Sequence, residues 1–168
     1  MGDIEFLSTI SELSVALAGF AGLVTVLSER LGERSRERGA HMLSTMLLYS
    51  LTAAGFSLVP QLFFRAGVDE LSSWRICSVA FFATWLIFFL RAFPPASRFV
   101  SGFPFRQKLL AYAGIFISVV GLIVLLLNAV GLFGAQAAVA YQAALLVLLL
   151  AAARLFVLLF ISLARPST

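Results

Sequence analysis

Apolar residues fall in five long runs along the chain, separated by shorter polar stretches. The runs cover about residues 5–28, 42–64, 74–92, 109–132 and 137–163. A membrane-spanning helix needs roughly 20 consecutive, mostly apolar residues. The pattern therefore predicts an all-α, polytopic integral membrane protein with five transmembrane helices, forming a single transmembrane domain over residues 1–168.

The composition agrees with this class. Of the 168 residues, 61% are hydrophobic and 12% are charged, whereas about 25% of a soluble domain is charged. The one cysteine cannot form a disulfide within the chain. The one histidine argues against a histidine metal cluster or a bis-histidine haem within one chain, so we expect no cofactor.

Basic residues predict the orientation of the five helices. Two loops, residues 29–41 and 93–108 with the adjoining Arg91, and the C-terminus carry most of the basic residues: Arg30, Arg34, Arg36, Arg38, Arg91, Arg98, Arg106, Lys108 and Arg165. Cytoplasmic loops of membrane proteins are enriched in Lys and Arg. We therefore expect both loops and the C-terminus in the cytoplasm, the N-terminus outside, and a plasma membrane location, or the inner membrane in a bacterium.

The two basic loops differ in pattern. In the first, glutamates alternate with arginines at helical spacing, which favours a solvated helical extension with i,i+4 ion pairs over a patch for anionic lipid. The second contains Pro94 and Pro95, and it is predicted to lie along the membrane surface as an irregular segment.

The first helix separates two kinds of residue onto two faces. Counting in alternating steps of three and four gives one acidic face with small residues: Glu5, Ser8, Glu12, Val15, Gly19, Gly22, Val26 and Glu29. The same count from Phe6 gives a bulky apolar face: Phe6, Ile10, Leu13, Leu17, Phe20, Val24, Leu27 and Leu31. Residues at this spacing share one side of a helix, so the helix is amphipathic along its length.

The acidic face has three interpretations. An ionised carboxylate in hydrocarbon costs several kcal/mol, so this face must meet protein, water or another copy of the chain. It could pack against a helix, line a pore in a homo-oligomer, or hold a titrating Glu12 in a proton or ion carrier. In the pore interpretation, Glu5 and Glu12 form two carboxylate rings.

The remaining pore residues follow the same face. Ser8 lies between the two rings, Val15 forms an apolar collar, and Gly19 and Gly22 form a narrow section. Rings of glutamates select cations, and apolar constrictions can gate by dewetting. The Glu12 ring is therefore the candidate cation site.

Polar residues in the other helices are predicted to pack. Arg154 follows a stripe of small residues in the last helix, which places it on a packed face; there it pairs with an acid, for which Glu29 matches its depth better than Glu12, or extends to the inner surface. Asn128 is expected to form an interhelical hydrogen bond. Trp74 fits the aromatic belt of a membrane interface.

Catalysis and nucleic-acid binding have no support in the sequence. His41 and Cys77 are expected at opposite membrane faces, and no metalloprotease, serine-hydrolase or phosphate-binding motif occurs. We therefore expect a protein that is not an enzyme and has no nucleic-acid partner.

The run ALAGFAG, residues 16–22, resembles the pore helix of Orai-type calcium channels, which also combines small residues, Gly-Phe and glutamate. In those channels the basic residues precede the Gly-Phe run, whereas here the acids precede it and the arginines follow. The resemblance implies a similar pore design and no family membership.

Together these patterns favour a homo-oligomeric cation channel whose first helix lines the pore, with lipid, cations and further copies of the chain as partners. The alternative is a non-conducting membrane subunit or scaffold, whose acidic face docks a partner helix.

Overall fold

The computed structural model describes the backbone of residues 2–28, 33–100 and 105–163, and the side chains of residues 4–24, 40–91, 108–109 and 112–158. These residues form five α-helices: α1 (Gly2–Ser28), α2 (Glu33–Arg65), α3 (Glu70–Val100), α4 (Phe105–Ala129) and α5 (Ala137–Leu163). Each of the five contains a segment long and apolar enough to cross a membrane. The prediction of an all-helical chain with five helices long and apolar enough to span a membrane is confirmed.

The helix ends differ from the sequence prediction on the side with the basic loops. Helix α2 begins at Glu33, so most of the expected loop 29–41 is helical, while Glu29 lies outside the described residues. Helix α3 continues through the proline pair to Val100, where an irregular segment from residue 93 was predicted. The length of an apolar run reflects the thickness of the hydrocarbon layer, whereas the helix itself can continue beyond that layer. Beyond the hydrocarbon, water can satisfy the carbonyls that prolines leave free.

Helices α2 to α5 form the centre of the bundle, and α1 lies outside it. Helix α4 packs between α3 and α5, and α2 packs against both α3 and α5. Helix α1 lies along α2 and touches α5 over a smaller area. Among the residues whose side chains the structure describes, one face of α1 is therefore left without a neighbour.

Two short turns close one end of the bundle with the same backbone motif. Gly67 follows α2 with φ 77°, and the Val68 N–H donates to the Phe63 carbonyl at 3.1 Å. Gly131 follows α4 with φ 82°, and the Leu132 N–H donates to the Leu127 carbonyl at 3.0 Å. These are Schellman motifs, in which a glycine with positive φ turns the chain so that the backbone N–H groups after the helix donate to its last carbonyls. We call this end of the bundle the short-turn end.

Helix α4 has a small or polar residue every seven positions, and a side chain of another helix contacts each of them: Gly114, Gly121 and Asn128. Asn128 is buried and its Nδ2 donates to Ser78 Oγ at 2.8 Å and to the Ala137 carbonyl at 2.9 Å. One heptad earlier, the indole of Trp85 lies over Gly121. The interhelical hydrogen bond predicted for Asn128 is confirmed.

Aromatic rings from α2, α3 and α5 fill the core. Phe81 stacks on Phe56 at 4.8 Å and on Trp85 at 5.5 Å between ring centroids. The rings of Phe81 and Tyr141 are arranged edge to face, with their centroids 5.8 Å apart. Trp74, whose place in the aromatic belt of a membrane interface stays a prediction, is 2% exposed, and its ring packs against Tyr141 at 5.4 Å. Its indole N–H finds a polar partner within α3, the Glu70 carboxylate at 3.5 Å, so the ring can turn inward.

The contact between Gly121 and Trp85 gives a stability prediction. A Cβ at position 121 would lie 2.7 Å from Trp85 Cζ3 and 3.0 Å from Val147 Cγ1, and the indole is fully buried. We expect Gly121→Ala to lower the free energy of unfolding by about 1–3 kcal/mol through overpacking. The control is Gly55→Ala, where nothing lies within 4 Å of the added carbon. Unfolding in detergent should separate the two variants, and equal stability would contradict the close α3–α4 contact.

The start of α3 gives a pH prediction. Asp69 is the N-cap residue, and its Oδ2 accepts a hydrogen bond from the Ser72 N–H at 3.0 Å. Hydrogen bonds from Ser72 lower the pKa of Asp69 from its ordinary value of 3.8. Because the pKa is lowered on folding, the stabilisation is present above the unfolded pKa and is lost as the pH falls through the folded pKa. The melting temperature of wild type minus that of Asp69→Asn should shrink from pH 7 to pH 3; a constant difference would contradict an ionised cap.

Candidate functional site

The acidic face of α1 points away from the rest of the chain. Six predicted pathway residues are exposed: Glu5, Ser8, Glu12, Val15, Gly19 and Gly22. The buried side of the helix consists of Leu7, Ile10, Ser14 and Ala21, packed against the bundle. The acidic face therefore does not pack against another described helix of the same chain.

Glu12 lies at the centre of this exposed face. With about 100° of rotation per residue, Ala21 lies about 180° around the helix from Glu12. Ala21 is fully buried, so the Glu12 side chain starts from the side of α1 that is farthest from the bundle. Glu5, Glu12 and Gly19 are seven residues apart and remain within about 20° of one another from step to step. They form the midline of the exposed face.

The depth of Glu12 places it inside the apolar span. The span of α1 covers Ile4–Val24. Glu12 is eight residues beyond Ile4, which corresponds to about 12 Å along the axis at about 1.5 Å per residue. Val24 lies twelve residues beyond Glu12, which corresponds to about 18 Å, so apolar helix continues on both sides of Glu12.

Within the residues that the structure describes, neither the Glu5 nor the Glu12 carboxylate has a hydrogen bond or an ion pair. The backbone carbonyl of Glu5 accepts a hydrogen bond from Thr9 Oγ1 at 3.1 Å, but the carboxylate does not take part. The described part of the chain also contains no group of three or more His, Cys, Asp or Glu residues that could hold a metal ion. A cation site at Glu12 would therefore need carboxylates from several copies of the chain.

The glycines make this face easy to approach. A Cβ built on Gly19 or Gly22 has nothing within 4 Å. Small residues allow neighbouring membrane helices to come close together. The second half of the face could therefore approach a neighbouring helix closely.

Leu23 belongs to the exposed face, although the sequence count placed it on neither face. It is 57% exposed, and it lies about 20° from the Glu12 direction, whereas Val15 lies about 60° to one side. The alternating count of three and four drifts by about 20° per heptad in a straight helix, and for that reason it passed over Leu23. The predicted bulky face is also divided, since Ile10 is buried while Leu13 and Phe20 are exposed.

Arg154 occupies a second polar site in the interior of the bundle. Its guanidinium lies directly over Gly114 of α4, in the space that a side chain there would fill. Ala144 and Ala151 share its buried face, as the stripe of small residues predicted. The expected pairing with Glu29 lies outside the described residues, and Glu12 is on the opposite side of α1 from the bundle.

The contact between Arg154 and Gly114 can be measured by a double-mutant cycle. Gly114→Ala should destabilise the protein because its methyl group would occupy the position of the guanidinium. In the Arg154→Ala background the same change should cost much less, which corresponds to a coupling of about 0.5–3 kcal/mol. Unfolding in detergent gives the four values, and additive effects would contradict the contact.

Comparison with known proteins gives no family for the chain. No protein-family model, no curated protein and no solved structure matches it. The function is therefore argued from the chain's own residues, of which Glu12 is the most informative.

Proposed function

We propose that the protein is a homo-oligomeric cation channel in which α1 lines a central pore. The observation that carries the proposal is the position of Glu12: it is exposed at the centre of the outward face of α1, with apolar helix on both sides of it. In a single chain this carboxylate would face hydrocarbon, at a cost of several kcal/mol. A ring of copies gives it water instead.

A ring is favoured over a dry contact between two copies. Two carboxylates brought directly together in a low-dielectric contact repel each other, and one of them must take up a proton. A water-filled axis separates and hydrates the carboxylates, and passing cations neutralise them. Cyclic symmetry also repeats the same face around one axis without a special partner.

Each residue of the outward face has a place in this pore. Glu5 forms the ring that attracts cations at the short-turn end, and Glu12 forms the principal ligand ring about 10 Å farther in, since seven residues separate them. Ser8 supplies hydroxyl groups between the rings. Val15 and Leu23 form apolar constrictions, and Leu23 lies closer to the midline. Gly19 and Gly22 leave room for the helices to converge.

The proposal includes the orientation that the basic residues favour. The short-turn end, with Glu5, faces outside, and the arginine-rich ends of α2 and α3 face the cytoplasm of a plasma membrane or bacterial inner membrane. Cations would then meet Glu5 first from the outside. The protein is proposed to need no cofactor and to catalyse no reaction.

A scaffold is the second candidate, supported by the same exposed face. A partner helix that carries a cation at the depth of Glu12 would also remove the carboxylate from lipid. The two candidates differ in what they predict for the isolated protein: a channel conducts by itself, whereas a scaffold without its partner does not.

The test is cation flux through liposomes that contain the purified protein. Wild type should conduct, and Glu12→Gln should reduce cation flux at least tenfold and shift the reversal potential toward that of a nonselective pore, because the charge of the ring is lost. Glu12→Asp should keep the selectivity. Glu70→Gln is the matched control, since it removes an exposed carboxylate at the start of α3, outside the pore face.

Two outcomes contradict the proposal. Equal flux and selectivity in wild type and Glu12→Gln would exclude this face as the pore. A wild type that conducts at no voltage or ionic condition, together with a Leu23→Ser variant that is also silent, would favour the scaffold, because a polar residue at the apolar constriction should open a closed gate.

A further inference from the structure

Helix α2 contains three features that weaken a helix within six residues. Gly55 has nothing within 4 Å of an added Cβ, Ser57 Oγ turns back to the Ala54 carbonyl at 2.7 Å, and Pro60 lies inside the helix. Glycine, serine bonded to its own helix and proline are the usual causes of bends in long helices. Residues 55–60 of α2 therefore form a potential hinge, which we call the α2 hinge.

Proline leaves one carbonyl of α2 without its helical donor. Pro60 has no N–H, so the carbonyl of Phe56, four residues earlier, cannot form the usual bond within the helix. A hydroxyl from another helix takes that place: Tyr141 of α5 donates to the Phe56 carbonyl at 2.6 Å. Tyr141 is fully buried, and the hydrocarbon of a bilayer offers no water to replace its hydroxyl.

The same tyrosine is fixed by the aromatic core. Its ring lies 5.8 Å from that of Phe81 and 5.4 Å from that of Trp74, while Phe56 itself stacks on Phe81 at 4.8 Å. The hydroxyl is therefore held at one place relative to α3 and α5. A change in the bend of α2 would move the Phe56 carbonyl away from it and break the bond.

Helix α1 is positioned to follow any movement of α2. It packs mainly along α2 and has a smaller contact with α5. The contact with α5 includes Phe20 and Phe156, whose ring centroids are 6.3 Å apart, and both side chains lie outside the closed core. A bend at the α2 hinge would therefore displace α1 together with α2, relative to α3, α4 and α5.

We propose that the α2 hinge is a conformational switch, that the hydrogen bond from Tyr141 to the Phe56 carbonyl is its latch, and that release of the latch moves α1. The consequence for conduction rests on the proposed channel function, whereas the latch itself does not. In the latched state α2 is held in one bend, and with the hydroxyl removed it samples a second.

A distance between spin labels on α2 and α5 tests the latch without any flux. Labels are placed at Ser44 and Val157, which are both exposed, in a Cys77→Ala background. With the labelled copies diluted in an excess of unlabelled protein, so that only distances within one chain are measured, pulsed electron paramagnetic resonance in nanodiscs should give one distance for the otherwise unchanged protein and a second, resolved distance after Tyr141→Phe. Tyr112→Phe is the matched control, since it removes the hydroxyl of an exposed tyrosine on α4.

Pro60→Ala supplies the test that a merely structural role of Tyr141 would fail. Alanine restores an N–H at position 60, which can bond the Phe56 carbonyl within α2. The double variant Pro60→Ala with Tyr141→Phe should therefore return to a single distance. An unchanged distance in Tyr141→Phe, or a second distance that persists in the double variant, would overturn the latch.

Folding failure and loss of flux are both informative. If Tyr141→Phe aggregates while the double variant folds, the latch is supported, because the ring is the same in both; if both aggregate, the hydroxyl acts elsewhere and the latch is wrong. In liposomes, Tyr141→Phe should change cation flux at least threefold and the double variant should restore it. A silent wild type would count against the channel, while the distances would still decide the latch.

Discussion

The hydrocarbon of a bilayer provides no hydrogen-bond partner and no solvation for charge, and the structure is organised by that constraint. Two contacts inside the bundle reflect it: Asn128 bonds to α3 and α5, and the carbonyl freed by Pro60 receives the hydroxyl of Tyr141. Arg154 lies in the space left by Gly114. Glu12 differs, because its carboxylate is exposed on the outside of the bundle within the apolar span of α1.

This contrast divides the molecule into two parts with different tasks. Helices α2 to α5 have an interior that combines small residues on α4 with large side chains from their neighbours. Helix α1 has one buried face and, among the residues whose side chains the structure describes, one face of acids and glycines without a partner. Under the proposed function that face meets further copies around water, and in the alternative it meets a partner helix.

Much of the fold could be predicted from the sequence, because each apolar run is about as long as a helix that crosses the hydrocarbon layer. The five helices follow from those runs, and α5 has the predicted bounds. The ends of α2 and α3 could not be predicted, since a helix continues where the apolar run stops. The inward orientation of the Trp74 ring could not be predicted either, because it depends on a contact with α5 and on a hydrogen bond to Glu70 in the same helix.

The candidate site was predicted in part. The acidic face of α1 was visible in the spacing of its glutamates, but Leu23 was missed because a heptad count drifts in a straight helix.

The most direct test of a pore lined by α1 is the distance between copies at position 12, measured with spin labels on Glu12→Cys in nanodiscs and compared with Val79→Cys on an exposed face of α3. If α1 lines a central pore, the distances between copies at position 12 should be a short, ring-like set, and those at position 79 should be longer. The absence of any inter-copy distance at position 12, or a longer one there than at position 79, would contradict it.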